Sequence, residues 1–197
     1  MKKISKLLHK ISFIVIIIFS VNAESSVLSI GEKNSKVVVK VFSSLTCPHC
    51  AEFHKNIYYN LKKDYIDKGL VKFEHNSFPL DLAALNAEII VRCHESNQKK
   101  FQLLGEIYKK QNNWAVGSDI NVINESIKKI GLKSGLSRNS MKNCLENETL
   151  QQQILNQRIE AQKKYEIQST PTIFINEKKY KGEHKYKAFK KTIEKLL

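Results

Sequence analysis

Short apolar stretches lie towards both ends of the chain, and apolar residues recur at three- and four-residue intervals through its middle. Val27 to Gly31 reads as a short edge strand closing in a turn, and Lys36 to Ser43 (KVVVKVFS), rich in β-branched residues, reads as a buried strand. From Cys47 the period becomes helical: Cys50, Phe53, Ile57 and Leu61 share one face. Thr46 is the expected N-cap, Pro48 fits the first turn, and Gly69 is the expected left-handed cap. Leu70 to Phe78 is the next strand. Helical patterns then follow over 81–96, 97–111, 120–130, 138–146 and 148–165, with breaks at Asn112-Asn113, Gly117-Ser118 and Gly131 to Gly135. The tail predicts a hairpin of Pro171–Asn176 and Lys179–Gly182 about an Asn176-Glu177 turn. A last amphipathic helix, Lys185–Leu197, carries Tyr186, Phe189, Ile193 and Leu196/Leu197 on one face.

The order is strand, helix, strand, a long helical stretch, hairpin, helix. Residues 81–165 are too long for a crossover connection and read as an inserted all-helical domain. Residues 24–80 and 166–197 then form one α/β domain whose layout matches a thioredoxin fold.

The first 23 residues read as a signal peptide. A lysine-bearing start precedes an 11-residue apolar run from Ile11 to Val21, and Val21-Asn22-Ala23 has small or tolerated residues at the cleavage positions. A membrane span needs about 20 residues, so removal is expected, with an uncleaved anchor as the alternative. No cysteine follows the run, which argues against a lipoprotein anchor. The formal net charge is +14, of which the four leader lysines supply four, leaving +10. Only Arg92, Arg138 and Arg158 are arginines, and the lysines are scattered rather than gathered in a stripe, so no nucleic-acid partner is expected.

Export changes how Cys47, Cys50, Cys93 and Cys144 are read. In an oxidising compartment an even number suggests disulfides, whereas in the cytosol the same four would suggest metal or reversible redox chemistry. Cys47-Pro48-His49-Cys50 opens a helix directly after a strand. A thiolate at Cys47 would be favoured by the helix N-terminus, by the Cys50 thiol and nearby amides, and by His49 when protonated. A helix end is worth about 0.3–1 kcal/mol, up to about 2, against about 1.4 kcal/mol per pKa unit. The dipole alone therefore gives roughly one unit, and a larger shift needs the hydrogen bonds and the histidine. A stabilised thiolate makes the disulfide a stronger oxidant. Cys47 is expected to be the attacked sulfur and Cys50 the buried resolving one. A static disulfide or a metal knuckle is the competing reading. His54, four residues after Cys50, would be a zinc ligand in the second case and otherwise a polar residue of the first helix. No metal and no cofactor is expected.

The CPHC segment opening the first helix, the helical insert and a later Thr-Pro before a hairpin resemble the DsbA family of thiol-disulfide oxidoreductases. The resemblance spans 26–197 in layout and is specific at Ser44-Leu45-Thr46-Cys47-Pro48-His49-Cys50 and Ser169-Thr170-Pro171-Thr172. It implies that Pro171 is a cis-proline beside the active disulfide and that Thr170 offers backbone hydrogen bonds to the substrate. Many relatives carry a buried acid six residues before the first cysteine; Val41 stands there, beside Lys40, which leaves the proton route of the buried cysteine open. Alphaproteobacterial members resemble this chain in a second cysteine pair, implying a structural Cys93–Cys144 bond. Such a bond would close a loop of about 50 residues, worth roughly 4 kcal/mol. Two buried free cysteines are the alternative.

The expected function is a monomeric periplasmic oxidase that donates its disulfide to reduced, unfolded exported proteins. A quinone-linked membrane protein of the DsbB type would reoxidise it. An isomerase or reductase of the same fold is the second reading, since Thr also precedes the proline in isomerase-type proteins. Against it, only about a dozen residues separate Ala23 from the first core strand, leaving no room for a dimerisation domain. A binding domain with a structural CxxC is the third.

Overall fold

The computed structural model describes residues 27–197; the expected leader, 1–23, lies outside the described residues. The β-branched run at 37–41 forms the middle of the sheet. Strand β2 (Val37–Ser43) pairs in parallel with β3 (Val71–Ser77), from Val37 opposite Val71 to Ser43 opposite Ser77. Its other edge is antiparallel to β4 (Thr172–Ile175). The edges are β1 (Leu28–Ile30) on β3 and β5 (Lys178–Lys179) on β4, so the order is β1-β3-β2-β4-β5. A central strand covered on both faces needs a near-continuous apolar run, and Val37, Val39, Val41 and Phe42 are all buried. This is the thioredoxin fold expected from the element order.

Helix α1 spans 48–66 without a break and contains two widened π-type turns, His54–Tyr58 and Lys62–Ile66. Its inward face is broader than the expected stripe, because His54, Tyr58, Tyr65 and Ile66 are buried alongside Cys50, Phe53, Ile57 and Leu61. His54 is therefore a core residue and not a surface one. Gly69, at φ +72°, ends the segment as expected.

Between β3 and β4 lie six helices. They are α2 (Leu82–Arg92), α3 (Asn97–Lys109), α4 (Gln111–Trp114), α5 (Ile120–Lys133), α6 (Arg138–Leu145) and α7 (Glu148–Tyr165). Side chains of Asp81, Ser96, Asp119, Ser137 and Asn147 cap five of them. Ser96 starts α3, which is why α2 stops short of 96. Two expected breaks move. Asn112-Asn113 lies inside α4, and α5 runs through Gly131, where a Cβ would stand 2.5 Å from the Met141 sulfur. The real stop is Gly135, at φ +91°. Helix α8 (Tyr186–Glu194) closes the chain, with Phe189 and Ile193 buried beneath α1.

The expected second hairpin strand shifts. Asn176 and Glu177 both take positive φ (46° and 63°), a tight turn that starts the pairing at Lys178 rather than Lys179. One further bond, Tyr180 N–H to Ile173 O, closes it at 2.8 Å.

The helices between β3 and β4 are tied to the sheet by buried polar groups as well as by packing. Glu88 on α2 meets His75 Nε2 of β3 at 3.0 Å and accepts from Arg92 Nε at 3.0 Å. Arg92 also donates to Ser77 Oγ (3.2 Å) and to Gln157 Oε1 of α7 (2.9 Å). Cys93, just past α2, is bonded to Cys144 of α6, with Cα atoms 6.1 Å apart. Among the described residues no helix is long and apolar enough to cross a membrane.

Candidate active site

Strand β2 ends at Ser43, and four residues later Cys47 stands at the N-cap of α1 in extended conformation (φ −78°, ψ 118°), with Pro48 opening the helix. Thr46, the expected cap, is turned away and donates to Asp81 Oδ2 at 2.7 Å. The helix start is held by backbone instead. Cys47 O accepts from Cys50 N–H (3.1 Å) and Ala51 N–H (3.2 Å), and Cys47 N–H donates to Ser44 O (3.2 Å). The two site cysteines are not bonded to each other.

Cys50 is 1% exposed and Cys47 is 7% exposed. As a thiol, Cys47 donates to the carbonyl of Thr170 at 3.2 Å; the Thr170-Pro171 peptide is cis. As a thiolate it is held first by the Cys50 thiol, against the opposing pull of burial. The Thr170 hydroxyl and the N–H groups of Cys50 and His49 add to this, bringing Cys47 down to about 5. The hydrogen bonds thus supply most of a shift that the helix end alone could not. Burial pushes the Cys50 thiol far up, and the neighbouring Cys47 sulfur adds to it. One sulfur is set up to be a thiolate and the other to stay protonated.

His49 is exposed beside a cleft of about 290 Å³ that includes Ser169, Thr170, Pro171 and His184. His184 arrives from the loop after β5 and is held below the usual histidine range by burial and by His49. Val41, opposite His75 on β3 and Ile173 on β4, is buried. His54, the conceivable zinc ligand, packs its ring against Tyr58 and Tyr108. No group of three or more His, Cys, Asp or Glu able to hold a metal occurs among the described residues.

Gln111 was not legible as a site residue. Its Nε2, buried, donates to Leu45 O at 2.7 Å and to Cys47 O at 3.0 Å, clamping the loop that presents Cys47. No local pattern marks it; only the packing of α4 against the loop does. Gln111→Ala leaves the Leu45 carbonyl without this donor and takes one of three donors from Cys47 O, which keeps the N–H groups of Cys50 and Ala51. It is expected to cost about 2 kcal/mol and to raise the Cys47 pKa. Denaturant unfolding and ultraviolet titration of the thiolate measure the two effects. An unchanged thiolate titration would show that the clamp does not set the helix start.

The Thioredoxin family profile matches residues 23–195. A Rickettsia conorii protein whose name places it with the protein-disulfide oxidoreductases is 32% identical over 158 residues, covering 80% of this chain and 55% of that protein. The chain therefore spans little more than half the length of that relative. Disulfide bond formation protein D of Bacillus subtilis is 29% identical over 177 residues, covering 85% of this chain and 76% of that one. The crystal structure of Wolbachia pipientis alpha-DsbA1 superposes with a TM-score of 0.80 at 26% identity, covering 87% of this chain and 90% of the other. A reactive pair at the start of α1, a cis-proline loop facing it and helices packed over the sheet agree with these likenesses, and the chain belongs to the thioredoxin family, with a DsbA-like fold.

Proposed function

We propose that the chain is an exported thiol-disulfide oxidoreductase that introduces disulfides into periplasmic proteins. The observation that carries this is the split between the two sulfurs, Cys47 brought down to about 5 while Cys50 is pushed far up. A substrate thiolate attacks Cys47 of the Cys47–Cys50 disulfide, and Cys50 leaves. A second substrate thiolate then attacks the substrate sulfur of the mixed disulfide, and Cys47 leaves as a stable thiolate. Pro48 and His49 shape the presenting turn, and Thr170 and Pro171 receive the substrate backbone. A quinone-linked membrane partner of the DsbB type returns the pair to the disulfide. Cys93–Cys144 serves as a structural bond within a helical insert of 81–165, set into a domain of 24–80 and 166–197.

The test is oxidation of a reduced unfolded protein by the oxidised chain, with the Cys47–Cys50 potential measured alongside. Rapid disulfide formation, lost in Cys47→Ser, is the expected result. A potential like that of a structural disulfide with no substrate oxidation overturns the reading, and activity only on scrambled disulfides makes the chain an isomerase.

A further inference from the structure

When a substrate thiolate attacks Cys47, the Cys47–Cys50 bond breaks and Cys50 departs with the electron pair. At a position 1% exposed it then needs a proton. On the substrate side Cys47 stands in contact with the Thr170 carbonyl. The other side of α1 is different. A cleft of about 620 Å³ opens there between α1, α3 and α4, and its lining includes Pro48, Ala51, His54, Tyr108 and Gln111. His54 lies one turn after Cys50 on the same helix, and its ring is 5.0 Å from that of Tyr108. His54 Nε2 is buried and makes no hydrogen bond, and the buried Tyr108 hydroxyl has the Ser43 side chain near it but no hydrogen bond of ordinary geometry. Poorly satisfied groups beside a reactive centre call for a role.

We propose that His54 and Tyr108 form the proton route of Cys50, running from this cleft to the buried sulfur on the side away from the substrate. The proposal rests on the oxidoreductase reading above. A solvent proton in the cleft passes to His54 and is relayed through the Tyr108 hydroxyl to the Cys50 thiolate, while the electron pair of the broken bond stays on Cys50. The net step is substrate thiolate, disulfide and one solvent proton giving the mixed disulfide and the Cys50 thiol. Burial, then His75, brings His54 down to about 3, so it is neutral and free to relay. Tyr108 is held high, chiefly by burial and then by Cys50, whose charge reaches it. The other titratable groups around this path are Glu52, Lys55, Tyr58 and Tyr59 on α1, Lys109 on α3, His75 on β3, Glu88 on α2 and Cys47. Gly105 keeps the wall open, since a Cβ there would stand 3.4 Å from His54 Cε1 and 2.7 Å from the Tyr59 hydroxyl.

The test is single-turnover reduction of the Cys47–Cys50 disulfide by a peptide thiol, quenched by alkylation, across pH. Tyr108→Phe and His54→Ala are each expected to slow this step about tenfold or more. The Cys47 thiolate titration should stay unchanged, and added imidazole should restore the rate in His54→Ala only. If His54→Ala fails to fold, His54→Gln takes its place, without the rescue arm. Wild-type rates and pH profiles in both variants, or slowing that follows a shifted Cys47 titration, overturn the proposal. A wild-type chain with no exchange at all would instead sink the oxidoreductase reading.

Discussion

Between about pH 5 and neutral pH the reduced protein is expected to gain about 2 kcal/mol of stability relative to its oxidised form. The cause is the Cys47 thiolate, which titrates at about 5 in the folded chain against 9.0 for an ordinary thiol. A depressed value means the stabilisation is complete above the unfolded value and shrinks as the pH falls, until it is gone below the folded one. Two pH units above 5, at about 1.4 kcal/mol each, set the scale, and solvent at the sulfur's exposed edge reduces it. Cys50 stays protonated across this window and adds no slope. The oxidised form has no thiolate and lacks the effect, and whatever the disulfide does to the unfolded chain does not vary with pH. Denaturant midpoints of both forms measured between about pH 4 and 8 should therefore diverge with rising pH. Parallel curves would mean that Cys47 is not a low-pKa thiolate. The same free energy makes the disulfide more oxidising by about 40 mV, since about 30 mV corresponds to about 1.4 kcal/mol in a two-electron couple.

The parts of this site legible in the sequence are those written in neighbouring residues. A β-branched run, a CxxC with proline at the helix start and a Thr-Pro before a strand are local patterns, and the structure brings Cys47 within 3.2 Å of the Thr170 carbonyl across 123 positions. The misread residues depend on partners far along the chain. Thr46 has the chemistry of an N-cap, but Asp81, 35 residues on, takes its hydroxyl and leaves the cap to backbone. Gln111 reads as an ordinary glutamine in a polar stretch until α4 brings it against the Cys47 loop. His54 reads as a polar residue of the first helix because of its side-chain type, although its place four residues after Cys50 puts it on the face that the fold buries. Val41 raised the question of where a buried acid might be, and the sequence could not answer it. Opposite Val41 in the β2–β3 register stands His75, and the buried acid that meets it is Glu88 of α2, far along the chain.

Glu88→Ala is expected to be the most damaging single change away from the cysteines, costing about 3–5 kcal/mol. Glu88 is 2% exposed and joins β3 to α2 through His75 and Arg92, while Arg92 reaches Ser77 and Gln157. Removing the carboxylate takes the Glu88 charge from the largely buried Arg92 guanidinium and leaves a cavity between sheet and helices. Burial alone would push the Glu88 carboxyl up; His75 foremost, then Arg92 and Ser77, overcome this and hold it well below the usual carboxylate range. Its stabilisation is therefore complete above the ordinary glutamate value of 4.5 and is lost as the pH falls further, when the unfolded chain takes up a proton that the folded one does not. Acid unfolding of the oxidised form removes the Cys47 contribution, and comparison with Glu88→Gln separates Glu88 from Asp64, Glu106, Glu125 and Glu177, which are also held below the usual carboxylate range. Glu88→Gln keeps the shape and should flatten the acid limb while costing less at neutral pH than Glu88→Ala. A Glu88→Gln variant with the parent's acid limb would place the acid sensitivity elsewhere. Replacing His75, Glu88 and Arg92 together with apolar residues of similar volume removes the burial penalty of every charge along with their attraction. That variant is expected to lose far less than Glu88→Ala, which separates the worth of the network from the cost of breaking it.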